Sequence, residues 1–270
     1  MPANQPFHLE RRDRPIVISI PHLGTVIPEA LQPRYTSEAM TLQDTDWHLD
    51  RLYDFAGRLG ATVISAKMSR YVIDVNRAPN GESLYPGMTT TSLCPTETFR
   101  GAPLYKPDMD PSLDELMRRL DSYWWPYHHA LASEIERLRT RHPQVLLWEA
   151  HSIAGELPRL FDGKLPDFNF GTADGASCDK RIVAGAVSAI QHSDYSWVVN
   201  GRFKGGYITR KYGAPTQGVH TIQLEMCQAL YMNEASPFDW RQDLAAKVAP
   251  LVQDAVTGAL DRMLACQVSN

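Results

Sequence analysis

The 270-residue chain is 43% hydrophobic and 21% charged, an ordinary globular composition that excludes collagen-like, low-complexity and disordered architectures. Its 27 basic and 31 acidic residues give a formal net charge of -4, so the chain has no overall positive field to hold nucleic acid or an anionic membrane. The mean hydropathy is -0.32, and no apolar run has the length of a membrane span.

The cysteines and the N-terminal residues indicate the compartment. Four cysteines lie far apart and form no Cys-x-x-Cys pair, which excludes a zinc ribbon and a thioredoxin-like motif. They are Cys94, Cys178, Cys227 and Cys266. We interpret them as free thiols of a reducing compartment. Residues 1–15 are polar and lack the apolar segment of a secretory signal. We therefore predict a soluble, cytoplasmic protein.

The N-terminal part of the chain predicts a strand, a helix and a second strand. Residues 16–20 form a β-branched run typical of a buried strand. Apolar residues recur at helical spacing over 49–59, where Asp44 or Thr45 is a candidate N-cap. Residues 61–66 are again β-branched and apolar, so they predict the next strand.

The middle of the chain combines a long loop with a long helix. Residues 78–111 are rich in Pro, Gly and Thr and lack periodicity, and loops of this length are usually functional. Apolar residues at spacings of three and four over 113–138 predict an amphipathic helix, kinked at Pro126 because proline removes a backbone donor. Residues 144–150 predict a short strand that ends at His151.

The C-terminal part continues the alternation of helices and strands. We predict a helix over 182–190, strands over 197–199 and 219–225, and a final helix over 238–266. Strands that alternate with helices predict an α/β fold, with a sheet covered on both faces. Because no repeat or linker divides the chain, we predict a single domain over residues 1–270.

Two histidines stand at the ends of predicted strands, where open α/β sheets place their sites. His22 follows the first strand; a surface turn histidine is the alternative interpretation. Glu149 lies two residues before His151, so both side chains share a strand face, and the carboxylate could orient a metal-bound imidazole or simply form a buried hydrogen bond. Asp44 and Asp46 are candidate carboxylate ligands, although helix capping also explains them. Two histidines and one carboxylate would make an open zinc site.

A further carboxylate indicates general-base catalysis, and several arginines indicate an anionic ligand. Burial in an apolar strand should raise the pKa of Glu225 and suit it to general-base catalysis; a glutamate facing solvent or paired with arginine is the alternative. Arginine pairs with carboxylates in a bidentate manner, so arginines in short polar segments indicate an anionic ligand, whereas solvation alone explains any single one. These arginines are Arg70, Arg77, Arg202 and Arg210.

Six segments connect these residues to a known family. They are Ile20-Pro21-His22-x-Gly24, Asp44-Thr45-Asp46-Trp47, Ser69 to Arg77, Glu149 to Ile153, Asn200 to Arg210 and Gln223-Leu224-Glu225-Met226. In their residues and in their order along the chain, these segments closely resemble the motifs of the N-formylglutamate amidohydrolase family. The resemblance extends from about residue 15 to about residue 235.

The resemblance implies a zinc-dependent hydrolase of bacterial histidine degradation, which releases formate and L-glutamate from N-formyl-L-glutamate. It also implies a fold similar to zinc carboxypeptidases (phosphorylase/hydrolase-like), a three-layer α/β sandwich with a mixed central sheet. By matching motif positions, His22, Asp46 and His151 would bind one Zn²⁺ per chain, and Glu225 would be the general base. The chain departs from the expected pattern at two positions. Thr25 stands three residues after His22, where a carboxylate is expected, and Glu149 stands where an aspartate is expected.

The same resemblance implies roles for the remaining polar residues in binding a small anionic substrate. Asn76 and Arg77 resemble the Asn-Arg pair with which zinc carboxypeptidases hold a substrate carboxylate. We expect Arg202 or Arg210 to hold the second carboxylate and Arg70 to stabilise the developing oxyanion. The long loop would form the rim of the pocket, in a monomer or small homo-oligomer. The alternatives are a related deacylase of N-formyl-Asp or N-acetyl-Glu, or a catalytically inactive binding protein with the same fold.

Overall fold

A computed structural model describes residues 5–82 and 90–268, and its central element is a seven-stranded sheet with the strand order β1-β3-β2-β4-β7-β5-β6. The strands are β1 Phe7–Glu10, β2 Ile16–Ile20, β3 Thr62–Ala66, β4 Val145–Ile153, β5 Phe168–Gly171, β6 Trp197–Val199 and β7 Val219–Cys227. The four strands β3, β2, β4 and β7 run parallel to one another, whereas β1 and β5 are antiparallel to their neighbours β3 and β7. The predicted mixed sheet is therefore confirmed.

Helices cover the sheet and connect its strands. The α-helices are α1 Leu49–Leu52, α2 Ala56–Leu59, α3 Leu113–Arg119, α4 Trp125–Arg139, α5 Lys180–Ser188, α6 Tyr207–Tyr212 and α7 Gln242–Val268. A π-helical turn, Leu120–Trp124, joins α3 to α4. Short 3-10 turns occur at Gln32–Arg34, Ala39–Thr41, Ala173–Gly175, Pro215–Gln217 and Gln228–Leu230. Of the helices in the described ranges, none has the length and apolar character to cross a membrane.

The alternation of side chains along the central strands divides the core between the two faces of the sheet. In β4, Leu146 and Trp148 belong to an apolar cluster shared with α5 and α7. The intervening Val145 and Leu147 belong to a second cluster, which includes Leu131 of α4. The sheet therefore lies between two helical layers, as expected for the predicted three-layer α/β arrangement.

The same alternation produces a polar patch at one end of the sheet. After Leu147, the face of β4 directed toward α4 continues with Glu149 and His151. The neighbouring strand β7 presents Gln223 and Glu225 on this face, in register with those two residues. Because β2, β4 and β7 are parallel, their carboxyl ends meet at this edge, which is where sites form in open α/β sheets.

Most predicted elements are confirmed, with shifted ends. The strand predicted over 144–150 extends to Ile153, so His151 lies inside β4 and not beyond its end. The strand predicted over 219–225 extends to Cys227. Strands β1 and β5 and helix α6 were not predicted, since each has only four to six residues and short elements carry little periodicity.

The helix predicted over 49–59 is interrupted, and its predicted cap is wrong. The chain forms the two short helices α1 and α2, and His48, with a left-handed φ of 62°, precedes the first one without a side-chain cap. Asp44 does not cap this helix because its carboxylate accepts the backbone N–H of Phe99. Thr45 lies in the turn that precedes His48 and makes no side-chain bond to the helix.

The kink predicted at Pro126 takes the form of a π-helical turn. Pro126 itself lies in the first turn of α4, where its missing N–H costs little. The widened turn Leu120–Trp124 directly precedes α4 and absorbs the irregularity. The helical region predicted over 113–138 is therefore present as two helices joined by this turn.

Candidate active site

The candidate site is a cavity at the carboxyl ends of the parallel strands. Among the described residues, the following line it: His22, Arg70, Asn76, Arg77, Thr90, Thr91, Phe99, His151, Ile153, Leu160, Arg202, Phe203, Gly206, Gln223 and Glu225. They come from the turn after β2, from the segment after β3, from β4 and β7, and from the loops between them. The long loop predicted as the rim contributes Thr90, Thr91 and Phe99, whereas its residues 83–89 lie outside the described ranges.

Three buried residues form a cluster that could hold a metal ion. His22, Asp46 and His151 each offer one ligand atom, and these atoms lie within 4.8 Å of one another. His151 Nδ1 is 3.1 Å and His22 Nδ1 is 3.7 Å from Asp46 Oδ2. Two imidazoles and one carboxylate are a donor set that suits Zn²⁺ and leaves room for a further ligand. The chemistry of these residues therefore fits a divalent metal.

Each histidine of the cluster is oriented by a second carboxylate. The Nε2–H of His22 donates to Asp74 Oδ1 at 2.6 Å, and the Nε2–H of His151 donates to Glu149 Oε1 at 2.7 Å. Both Nδ1 atoms consequently face Asp46, since the opposite side of each ring is occupied. The pairing of Glu149 was predicted. Asp74 was missed, although an acidic residue between Ile73 and Val75 was an available signal.

The loop that carries Asp46 is held in place by backbone and side-chain hydrogen bonds. The N–H of Asp46 donates to the carbonyl of His22 at 3.0 Å. The Nε2 of Gln228 donates to the carbonyl of Thr45 at 2.9 Å. The hydroxyl of Tyr231 lies 3.0 Å from the carbonyl of Trp47, to which it donates. These contacts fix Asp46 beside the imidazoles.

Asp44 and Asp46 face different surroundings. Asp46 accepts the N–H of Ser152 as well as lying beside His151. Asp44 accepts the N–H of Phe99 at 2.8 Å, and burial raises its pKa to about 6. Asp44 thus anchors the wall of the cavity, and Asp46 is the carboxylate that joins the two histidines.

The pKa values of His151 and Asp46 shift in opposite directions, so that the cluster favours a protonated imidazole beside an ionised carboxylate. Burial lowers the pKa of His151, but its hydrogen bonds to the carboxylates of Asp46 and Glu149 outweigh burial and raise the pKa to about 10. Burial raises the pKa of Asp46, but the neighbouring imidazoles of His151 and His22 lower it by a larger amount, so the net shift of this pKa is downward. The negative charge that raises the pKa of His151 would equally favour a bound cation.

Glu225 lines the cavity beside this cluster. It is the register partner of His151 on the adjacent strand and is 8% exposed. Burial raises its pKa to about 8, against the opposing effect of His151. A carboxylate with a raised pKa at the floor of a cavity has the properties required for proton transfer.

Arg70 is buried between the cluster and the cavity wall. Its Nη2 donates to Asp74 Oδ2 at 2.8 Å, and its Nη1 lies 3.2 Å from His22 Nδ1. The guanidinium carbon lies 4.6 Å from the centre of the Phe99 ring. Asp74 therefore joins Arg70 to His22 through its two oxygens, and the guanidinium has a fixed position at the cavity.

The predicted substrate-binding residues lie at different distances from the cavity. Asn76, Arg77 and Arg202 line it. Arg77 is further held by Thr91, whose carbonyl accepts its Nε at 3.1 Å. Arg210 is exposed on α6 and donates to a backbone carbonyl; it is not one of the described residues that line the cavity.

Helix α6 and the residue before it form hydrogen bonds with the polar patch. The N–H of Ile208 donates to Asn76 Oδ1 at 2.9 Å, and the N–H of Gly206 donates to Gln223 Oε1 at 2.7 Å. The hydroxyl of Thr209 donates to Glu149. The roles of Gly206, Gln223 and Thr209 were missed. The motif from Asn200 to Arg210 contained two of them, but only its arginines were considered.

Comparisons with known proteins identify the family of the chain. A family model described as N-formylglutamate amidohydrolase matches residues 14–232. An N-formylglutamate deformylase of Pseudomonas aeruginosa is 47% identical over 247 residues, which cover 91% of this chain and 92% of that protein. A protein of the same name from Pseudomonas putida is 49% identical over 241 residues, which cover 88% of this chain and 89% of that protein.

A solved structure supports the fold. The crystal structure of an N-formylglutamate amidohydrolase from Ralstonia eutropha JMP134 superimposes with a TM-score of 0.80, at 24% sequence identity. The similarity covers 98% of this chain and 99% of that chain.

Proposed function

The chain belongs to the N-formylglutamate amidohydrolase family, and on this premise we propose that it hydrolyses N-formyl-L-glutamate to formate and L-glutamate. The observation that carries the proposal is the cavity in which a metal-type cluster, a buried glutamate and three arginines meet. The two deformylases at 47% and 49% identity support the same substrate.

We propose that His22, Asp46 and His151 hold one Zn²⁺. When bound, the metal would supply Lewis acidity to the formyl carbonyl and lower the pKa of water. The donor set supports this proposal, as do the carboxylates on the far side of both imidazoles.

In the proposed reaction, Glu225 is the general base. Its carboxylate accepts a proton from the water that attacks the formyl carbon, and it then passes this proton to the leaving amine. The transfer is needed because an amine anion is a poor leaving group. The guanidinium of Arg70 faces the same cavity and would stabilise the negative charge that develops on the carbonyl oxygen.

Binding of a doubly anionic substrate requires local positive charge, since the chain as a whole is negative. We propose that Asn76 and Arg77 hold the α-carboxylate. Arg202, which lines the cavity, is the better candidate than the exposed Arg210 for the second carboxylate. Loss of either of these two charged contacts would lower the affinity for the substrate by about 10- to 100-fold.

The wider proposals follow from the family. We propose a single catalytic domain over residues 1–270, supported by the one sheet that unites all seven strands of the described ranges. A role in histidine degradation and a cytoplasmic location are proposed with it. The likeness to zinc carboxypeptidases, implied by Asn76-Arg77, stays a prediction.

Formate release from N-formyl-L-glutamate tests the proposal directly. The purified protein is assayed as prepared, after treatment with a chelator, and after readdition of Zn²⁺. We expect activity that is lost with the chelator and restored with the metal. N-formyl-L-aspartate and N-acetyl-L-glutamate are assayed in parallel. A higher kcat/KM on either of them would favour a related deacylase, and absence of all activity in metal-loaded protein would favour a binding protein.

A further inference from the structure

We propose that Gln223 is a specificity-determining residue whose Nε2 donates a hydrogen bond to the side-chain carboxylate of the substrate. The proposal rests on the proposed function and deepens it. Gln223 lines the cavity and is 3% exposed. It lies on β7 two residues before Glu225, so both side chains project from the same face of the strand.

The orientation of the Gln223 carboxamide is fixed by the backbone. The N–H of Gly206 donates to Gln223 Oε1 at 2.7 Å. A backbone N–H can only donate, so the oxygen of the amide must face Gly206 and the NH2 group must face the opposite way. Across residues 5–82 and 90–268, no acceptor contacts this NH2 group. Gln223 is a buried residue that lines the cavity, and an NH2 group accessible at a cavity without a partner among the described residues is suited to a ligand acceptor.

The carboxamide of Asn76 is fixed in the same manner by the same segment. Its Oδ1 accepts the N–H of Ile208 at 2.9 Å, and its Nδ2 lies 3.1 Å from His151 Nε2. Asn76 therefore presents its NH2 group close to the metal cluster. The segment 206–208 thus orients two amide donors, one beside the cluster and one deeper along β7.

The spacing of Gln223 and Glu225 along β7 matches the distance between the formyl group and the side-chain carboxylate of the substrate. Residues two apart on a strand are separated by about 7 Å, so Gln223 lies roughly that far from Glu225 along the cavity floor. In extended N-formylglutamate, five bonds separate the formyl carbon from the side-chain carboxyl carbon, a span of roughly 6 Å, and only three bonds lead to the α-carboxyl carbon. With the formyl group beside Glu225, Gln223 reaches the side-chain carboxylate and Asn76 the α-carboxylate.

The Gln223→Glu variant isolates the NH2 group. It keeps an oxygen to accept the N–H of Gly206 and replaces the donor by a second oxygen. We expect kcat/KM for N-formyl-L-glutamate to fall by about 10- to 150-fold, the range for loss of a hydrogen bond to a charged group. For N-formyl-L-glutamine we expect no loss, because its amide can donate to the new carboxylate.

The Gln223→Met variant is a second test that does not depend on the charge of the new side chain. We expect a loss of at least about 10-fold on N-formyl-L-glutamate, and no loss on N-formyl-L-norvaline, which has the same carbon chain without the carboxylate. Gln253→Met, on the exposed face of α7, is the matched control. Metal content and the thermal midpoint of unfolding establish that each variant is folded.

The outcomes separate this inference from the proposed function. If the wild-type protein releases no formate from N-formyl-L-glutamate, the proposed function fails. If the wild-type protein is active but the Gln223 variants lose activity equally on substrates with and without the side-chain carboxylate, or lose none, the inference about Gln223 is wrong and the function stands.

Discussion

His151 and Glu225 are register partners on the adjacent parallel strands β4 and β7. His151 belongs to the candidate metal cluster, and Glu225 lines the cavity beside it. Their separation is therefore set by the hydrogen-bond ladder between two fully buried strands and not by a loop. A base and a metal ligand held by such a ladder keep a constant distance, which is a requirement for efficient proton transfer.

Replacement of Glu225 by glutamine should separate catalysis from metal binding. The amide cannot accept the proton of the attacking water, so we expect kcat to fall by about 10²- to 10⁴-fold. The metal content should stay at the wild-type level because Glu225 is outside the cluster of three ligand residues. Formate release and elemental analysis measure the two effects. Turnover close to that of the wild type would remove Glu225 from the mechanism.

Replacement of Asp74 by asparagine should weaken metal binding. Asp74 accepts the Nε2–H of His22 at 2.6 Å and a hydrogen bond from Arg70 at 2.8 Å, so its charge holds both side chains in position. Loss of such a carboxylate partner typically weakens metal affinity by about 10- to 100-fold. Competition with a chromophoric chelator measures the affinity for Zn²⁺. Asp110→Asn, at an exposed position, is the control, and equal affinities of the two variants would contradict the assignment.

The two candidate arginines for the second carboxylate should behave differently. Arg202 lines the cavity, so Arg202→Ala should raise KM for N-formyl-L-glutamate by roughly 10- to 100-fold, the effect of one charged hydrogen bond. Arg210 is exposed, so Arg210→Ala should change KM by about twofold at most. Steady-state kinetics of both variants decide the assignment, and the reverse order of effects would transfer the role to Arg210.

Gly206 leaves no space for a side chain. A Cβ at this position would lie 2.4 Å from Asn76 Nδ2, so Gly206→Ala must displace either the Asn76 amide or the backbone that donates to Gln223. We expect kcat/KM to fall by at least about 10-fold, since small misplacements in an active site are costly. Gly57→Ala is a matched control, because a Cβ there meets nothing within 4 Å. Equal kinetics of the two alanine variants would show that the approach of Gly206 to Asn76 is unimportant.

His128 should make the free energy of unfolding sensitive to acid. It is buried, its Nε2–H donates to the carbonyl of Val75 at 2.8 Å, and burial lowers its pKa to about 4 despite this bond. The folded pKa lies below the unfolded value of 6.5, so the unfolded chain binds more protons at intermediate pH. The stabilising contribution is complete above pH 6.5 and is lost as the pH falls toward 4.

The variant His128→Gln tests this pH dependence. Between pH 7 and pH 5, the wild type should lose about 2 kcal/mol that the variant does not lose. Urea unfolding at both pH values, with chelator present throughout so that metal release does not contribute, gives the difference. Identical pH dependence of the two proteins would show that His128 is not the responsible group.

The sequence predicted the sheet and its polar end because both follow from strong local patterns. The apolar runs of β2, β4 and β7 alternate with helices, and this order alone indicates an α/β fold. The positions of His22, His151 and Glu225 at the ends of those runs placed them at one edge of the sheet.

The parts that the sequence did not predict depend on tertiary contacts. The true partner of Asp44 is the backbone N–H of Phe99, which is 55 residues away in the chain. The carboxamide orientation of Gln223 depends on one N–H from a turn that carries no periodic signal. Asp74 appears in sequence as an isolated acidic residue, and only the fold shows that it holds His22 and Arg70 together.

The order in which the chain is synthesised has a consequence for this cluster. Asp46 and His151 are 105 residues apart, and they meet only once β2 has paired with β4. Such a long closure is entropically unfavourable until the central strands are paired. A nascent chain that ends before β4 therefore has no complete ligand set. Because metal binding and folding are coupled when a site is assembled from distant segments, retention of a metal by this candidate cluster should report that the centre of the sheet has formed.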